Sequence, residues 1–245
     1  GIHDHLVARG YLPITLEMSS DDDRNSELLY HMLVRCVEGL VLWHFSDRVL
    51  EESLAANLPV VMIDTPDIRG ERFDFVGTDE TTGGKLAAEH LLELGHRHAV
   101  TLAFEGLSTM HERCKSFAAT MCKVEGGTCR TIAPANRGDE AVRASIREVL
   151  SGTSRPTAVF AGSDRIGWLV MNEAVAMGLT VPDDLSVVGY ADLDFAEMIT
   201  PPLTTIRQAP VDIGGQAADL LLDRIKSKDT AIDPQRVLLK PEIVV

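Results

Sequence analysis

Residues 156–208 read PTAVFAGSDRIGWLVMNEAVAMGLTVPDDLSVVGYADLDFAEMITPPLTTIRQ, and this stretch decides the fold. It opens with Thr157-Ala-Val-Phe-Ala161, a short apolar run of the kind that forms a strand buried on both faces. Gly162-Ser163-Asp164 breaks that strand and places Ser163 or Asp164 to cap a helix. Ile166, Leu169, Val170, Ala174 and Met177 recur at helical spacing, and Gly178 stands where a left-handed cap belongs. Val181-Pro-Asp-Asp turns the chain into a second buried strand, Ser186 to Tyr190. Thr200-Pro-Pro-Leu-Thr-Thr-Ile-Arg-Gln208 is too proline-bound to begin as a helix and reads as extended. Strand, helix and strand joined by loops this short form a right-handed crossover onto a parallel sheet. Ser163, Asp164 and Asp192 gather where the strands end, the edge on which open α/β sheets bind ligands.

The PTAVFA, VPDDLSVVGY and TPPLTTIRQ segments of this stretch closely resemble the effector-binding core of the lactose-repressor (LacI/GalR) family of bacterial transcription regulators. VGTDETTGGKLAAEHLLELGHRHAV, from Val76 to Val100, is similar to the family's middle segment. STMHERCKSF, from Ser108 to Phe117, is similar to its loop and helix after the next strand. Order and spacing are kept, and nearly the whole chain can be laid along the family. The resemblance implies an α/β fold of two Rossmann-like parallel-sheet lobes, of the periplasmic-binding-protein type I kind, joined by three crossings. It places these near Ala103, Gln208 and Lys240. Residues 1–103 with 209–239 would then form an N-terminal lobe, and 104–208 with 240–245 a C-terminal lobe. The residues alone support two runs of βα units.

The 245 residues suffice for one large domain or two linked lobes, and 45% apolar content is ordinary for a globular chain. The longest apolar runs, such as Val37 to Trp43, are far too short to span a bilayer, so no membrane partner is expected. No basic n-region with an apolar h-region opens the sequence, so nothing in it reads as a signal peptide. Cys36, Cys114, Cys122 and Cys129 have neither CxxC nor zinc-like spacing, which points to reduced thiols in a cytoplasmic protein. The formal charge of −14 is wrong for a surface pressed against DNA phosphates. Any DNA contact must be made by residues outside this sequence.

Along the chain, Gly1 to Arg9 reads as a helix stopped by Gly10, and Leu12 to Leu16 as a strand. Asp21 to Asn25 reads as a solvated turn, followed by a helix with Leu28, Leu29, Met32, Leu33 and Cys36 as its buried stripe. Strands are expected at 39–43, 60–63, 73–77, 99–104 and 129–132, alternating with helices at 48–57, 80–94, 112–124 and 140–150. A last helix spans 212–226 and a last clear strand 237–239. Leu12–Leu16 has no earlier strand to pair with in an order of the 2-1-3-4-5 type. Family members carry a strand just before the first helix and a helix-turn-helix region before that. The resemblance therefore implies that the sequence is a fragment, or that the residues ahead of it are left out.

Gly77-Thr-Asp-Glu-Thr-Thr-Gly-Gly-Lys85 invites a phosphate-loop reading, but Asp79 and Leu86 occupy positions where a P-loop needs Gly and Ser or Thr. Its glycines more plausibly let a helix pack closely on the sheet. His96 and His98 alternate without a third ligand, so a turn is the better reading and no metal is expected. No GxSxG elbow, no catalytic cysteine signature and no cofactor motif occurs, so the protein reads as no enzyme.

The resemblance supplies the candidate ligand shell. Arg113, with Phe117, matches the family's effector-contacting arginine motif, and a forked guanidinium suits paired hydroxyls, carboxylate or phosphate. Thr109, Ser163, Asp64 and Gln208 match ligand positions too, with a cap or turn role as the other reading for each. Asp192 is the acidic residue retained from the family's Gly-Tyr/Phe-Asp-Asp, whose first Asp is Ala191 here. Glu140 stands where the family often has an aromatic that stacks on the effector. The loss of that carboxylate and that stacking platform counts against a simple pyranose, and a smaller, cationic or differently decorated effector fits as well. Trp168 falls off the core-facing phase of its helix, and Phe195 and Met198 make a second apolar patch. In the family both segments pack against their twofold mates.

The expected function is the effector-binding and dimerising part of a DNA-binding transcriptional regulator. It would bind a small polar metabolite, sugar or related, between the lobes, and reach operator DNA through a helix-turn-helix region not in this sequence. The alternative is a solute-binding protein of an ABC transporter with the same two-lobe fold. An α/β enzyme is a third possibility, disfavoured by the missing motifs.

Overall fold

The computed structural model describes residues 1–17, 22–34, 36–43, 47–65, 73–104, 106–227 and 233–245; of the solvated turn expected over 21–25, Asp21 lies outside them and 22–25 are instead the first turn of a helix, with Asn25 buried. The chain divides into two compact units, 1–77 with 209–239 and 78–208 with 240–245.

The first unit contains α1 (Ile2–Val7), α2 (Asp22–Val34), β1 (Leu40–Leu42), α3 (Asp47–Ala55), β2 (Val60–Ile63), β3 (Asp74–Thr78, which runs into the division), α8 (Pro210–Ser227) and β9 (Arg236–Leu239). Its sheet runs β1-β2-β3-β9, with β1, β2 and β3 parallel. The period of two in Val60-Val-Met-Ile63 sends alternate side chains to opposite faces. Val60 and Met62 join Leu29, Leu40, Leu42, Val49 and Leu50 on one side, while Val61 joins Val76, Ile213, Ala217 and Leu221 on the other. Gly214 and Gly215 of α8 bring α1 close, since a Cβ on either would meet Ile2 or the His5 ring within about 3 Å.

Two expectations fail in this unit. Leu12–Leu16 forms no strand: Leu12 is 86% exposed, and Ile14 and Leu16 are exposed as well. An extended segment becomes a strand only by pairing, and no described strand lies alongside this one. Cys36 is no part of a buried helical stripe; it sits exposed beyond α2 with φ 59°.

The second unit contains α4 (Glu80–Glu93), β4 (His98–Leu102), α5 (Ser108–Met121), β5 (Thr128–Ile132), α6 (Asp139–Ser151), β6 (Ala158–Phe160), α7 (Asp164–Ala176), β7 (Ser186–Val188), β8 (Thr205–Arg207) and β10 (Glu242–Val244). Four parallel strands run β5-β4-β6-β7, so the crossover read from residues 157–190 is present. Gly178 has φ +80° and closes α7, with Leu179 N bonding back to Ala174 O at 2.9 Å. β10, which the sequence left unread, pairs antiparallel with β8. Phe117 stacks on Phe160 at 4.8 Å between centroids, and Phe160 meets Tyr190 edge-on at 6.3 Å, in one continuous core.

The first division falls after Gly77 and not near Ala103. Two features pull α4 and β4 into the second unit. β4 is an inner strand there, between β5 and β6. A Cβ on Gly84 would lie 2.0 Å from the Arg113 carbonyl oxygen and one on Gly83 2.5 Å from the Tyr190 hydroxyl. These glycines let α4 close on α5 and Tyr190, rather than on the sheet as expected.

Candidate functional site

The carboxyl edge of the second unit's sheet is built from strand-to-helix turns. After β6 the chain must reverse at once into α7, and Gly162 takes φ +69° to do so, where a Cβ would meet Leu102 O at 2.8 Å. Ser163 then caps α7, its Oγ accepting from Ile166 N at 3.3 Å. Asp164 turns inward and is fully buried. Its Oδ1 accepts from the Thr205 hydroxyl at 2.5 Å and its Oδ2 from Leu193 N at 2.8 Å. Burial pushes this carboxyl above the usual range, against the pull of those hydrogen bonds. Asp164 thereby pins the β7–β8 connection to the start of α7.

Arg113 lies in the second turn of α5 and is buried, not a solvated surface residue. Its Nε is 2.7 Å from Glu80 Oε2, and its Nη2 donates to Glu80 Oε1 at 2.8 Å. Nη1 donates to Gly162 O at 3.1 Å, and the guanidinium carbon sits 3.7 Å from the centroid of the Tyr190 ring. Glu80 is itself buried in the first turn of α4. Thr109 lies at the start of the same helix as Arg113, where Leu107 as N-cap offers no side-chain acceptor.

Where the sheet continues past β7, Ala191 and Asp192 take φ 119° and 57°, conformations that L side chains resist. Asp192 accepts from Arg207 Nε at 2.5 Å, and Gln208 Nε2 donates to Thr78 Oγ1 at 2.9 Å. In the first unit, Asp64 ends β2 at φ 51°. Among the residues singled out from sequence, Arg113 and Ser163 converge on Gly162 and its neighbour, while Asp192 and Gln208 stand at the β7–β8 end of the same edge. Asp164, read from sequence at this ligand-binding edge, belongs to the arrangement, and so do Glu80 and Tyr190, neither of which the sequence singles out as a ligand-shell residue. A first-turn glutamate ordinarily serves the helix dipole in solvent, and only packing turns Glu80 inward.

The remaining motifs resolve into structural roles. Asp79 caps α4 by accepting from Thr82 N at 3.0 Å and from the Thr82 hydroxyl at 2.6 Å, a carboxylate where a phosphate loop would hold phosphate. His96 bridges the hydroxyls of Thr157 (2.9 Å) and Ser186 (3.0 Å), and burial lowers its pKa. Among the described residues no group of three or more His, Cys, Asp or Glu could hold a metal. Glu140 pairs with Arg147 at 2.5 Å, and Arg147 reaches Glu173 at 3.2 Å, so that position carries an ion-paired carboxylate. Burial raises the Cys114 thiol to about 11 and Cys129 to about 12, which keeps both unreactive. Trp168 is 39% exposed on α7, Met198 is 77% exposed, and Phe195 is half-buried in a single 3₁₀ turn at 194–196.

Residues 88–245 match the model of the periplasmic binding protein-like domain. The transcriptional repressor PurR of Vibrio vulnificus, described as helix-turn-helix type, is 31% identical over 253 residues, covering 100% of this chain and 74% of that protein. The chain belongs to the LacI/GalR family of transcriptional regulators. The ribose operon repressor of Escherichia coli K12 is 29% identical, covering 98% of this chain and 74% of that protein. A LacI family regulator from Enterococcus faecalis, solved with bound ribose, superposes with a TM-score of 0.82 at 27% identity, covering 100% of this chain and 89% of that one. The transcriptional regulator CelR, solved with cellobiose, superposes at 0.86 and 27%, covering 100% and 75%. The chain is thus the effector-binding and dimerisation domain of a LacI-type regulator, with the two-lobe α/β fold of type I periplasmic binding proteins. No helix among the described residues is long and apolar enough to cross a membrane.

Proposed function

We propose that the carboxyl edge of the second unit's sheet binds a small polar, sugar-like metabolite through Arg113, with Thr109, Ser163, Asp192 and Gln208 as further contacts. Asp64 is the first unit's candidate. The observation that carries this reading is the placement of Arg113: a guanidinium held rigidly beside the β6–α7 turn, on the edge where open α/β sheets take ligands. Related regulators hold ribose and cellobiose. Occupancy of the site would modulate operator binding in the bacterial cytoplasm. The DNA-reading surface would lie outside these 245 residues, since the charge here is −14 and the chain spans 74% of its helix-turn-helix relative. The test is calorimetric titration with ribose, cellobiose and a panel of neutral monosaccharides. Binding by one of them, weakened in Arg113→Ala, is expected; binding to which Arg113→Ala is indifferent removes this edge from the site.

The homodimer contact is proposed at Trp168, Phe195 and Met198. A half-exposed Trp and a largely exposed Met are costly on a free surface, and Trp and Met are enriched in interface cores. Trp168→Glu is expected to give monomers in analytical ultracentrifugation with effector binding retained. A surviving dimer places the interface elsewhere.

A further inference from the structure

We infer that Glu80 is a specificity-determining residue of the same site: its two-point ion pair with Arg113 neutralises the guanidinium and bars anionic ligands, phosphorylated metabolites included. This rests on the reading of Arg113 as a ligand contact. Both carboxylate oxygens of Glu80 face Arg113, one 2.7 Å from Nε and one accepting from Nη2 at 2.8 Å. Nη1 donates to Gly162 O, and one face of the guanidinium lies against Tyr190. The further N–H donors on Nη1 and Nη2 have no partner among the described residues and suit hydroxyl oxygens. Their charge is not open, because Glu80 and Arg113 are both buried and water screens the pair little.

An anion docking on those donors would meet the Glu80 carboxylate across the width of one guanidinium. Nearby groups do not compensate. The start of α7 carries the buried Asp164 followed by Arg165, which is paired with Asp139, and Arg207 is held by Asp192. A neutral polyol loses nothing to this arrangement; a phosphate monoester faces net repulsion and desolvation. Arg137, on the exposed loop after β5, is a separate cation of this unit, so the test is run in an Arg137→Met background as well.

Inorganic phosphate is the probe, with the Arg113 Nε–Hε resonance in ¹⁵N-edited spectra and thermal stability as readouts. In the wild type the resonance is expected to be protected from exchange and unmoved by tens of millimolar phosphate. Glu80→Gln keeps the shape and removes the charge, and is expected to bind phosphate at Arg113 at least about 10-fold more tightly than the wild type. Glu80→Asp is expected to keep the exclusion. Phosphate that shifts Arg113 in the wild type overturns the inference, and this measurement needs no variant to fold. So does a folded Glu80→Gln that gains no phosphate affinity. Failure of every neutral sugar to move the Arg113 resonance would instead sink the proposed function, and the phosphate result would remain readable on its own.

Discussion

Two buried carboxylates, Asp74 at the start of β3 and Glu80 just after it in sequence, each hold an arginine, and the two pairs differ in what they leave open. At the amino end of β3, Asp74 takes Arg224 Nε at 2.7 Å and Nη2 at 2.6 Å, and also accepts from Gln235 N at 2.8 Å. Arg224 Nη2 donates onward to Asp233 O at 2.8 Å. This pair ties α8 and the approach to β9 to the start of β3. Just past the carboxyl end, Glu80 holds Arg113 with equal closeness, but at helix starts beside the β6–α7 turn. The chemistry is the same; the first pair belongs to the first unit and the second to the second unit's own sheet. Parallel strands and their following helices direct ligand-facing turns to the carboxyl end, so the first pair staples and the second presents.

The largest expected effect breaks the first pair. Asp74→Ala leaves the partly buried Arg224 and the Gln235 N–H without their carboxylate and is expected to cost about 3 kcal/mol of unfolding stability by urea denaturation, the low end for a buried pair because Arg224 keeps some contact with water. Effector affinity per folded molecule should be unchanged, which is where the two pairs part. Arg113→Ala removes a charge-assisted contact of about 1.5–3 kcal/mol, hence ~10-fold or more in effector affinity by calorimetry. Equal losses of affinity from the two substitutions would erase the distinction.

A smaller effect concerns the strained end of the same edge. Ala191 at φ 119° is held there by its N–H bond to Ile206 O at 2.9 Å. Ala191→Gly is expected to raise stability by about 1 kcal/mol in thermal or denaturant unfolding, because glycine adopts positive φ without the Cβ clash. No gain would show that the strain is relieved elsewhere.

The smallest effect belongs to the amino edge, where His96 joins Thr157 and Ser186. Its folded-state pKa is depressed, so the unfolded chain binds the proton more readily. Its stabilising contribution is therefore complete above the unfolded value, about 6.5, and is lost as pH falls through the lower folded value. Stability should rise between pH 5 and neutrality, and His96→Gln should flatten that part of the profile. Asp164 has the opposite sign: its raised pKa makes its contribution greatest below the usual carboxylate range and smaller above it.

Alternation and punctuation made most of the second unit legible. The 157–190 crossover, the cap at Ser163 and the left-handed Gly178 follow from local sterics, which a chain carries wherever it goes. Arg113 was legible because its motif is, but its surroundings were not. A sequence shows that Glu80 and Arg113 are 33 residues apart; only the closing of α4 on α5 over Gly83 and Gly84 makes them partners.

Sequence by itself determined the fold class, the family and the order of the elements, because hydrophobic period, turn residues and motif wording are local. Tertiary structure decided what depends on partners. Leu12–Leu16 has strand-forming residues and is no strand, since a ladder needs a neighbour. The first division between units moved from Ala103 to Gly77, since β4 pairs inside the second sheet. Glu80, readable as a solvated helix-start acid, became the counter-charge of Arg113, since burial leaves a carboxylate only the company that packing gives it.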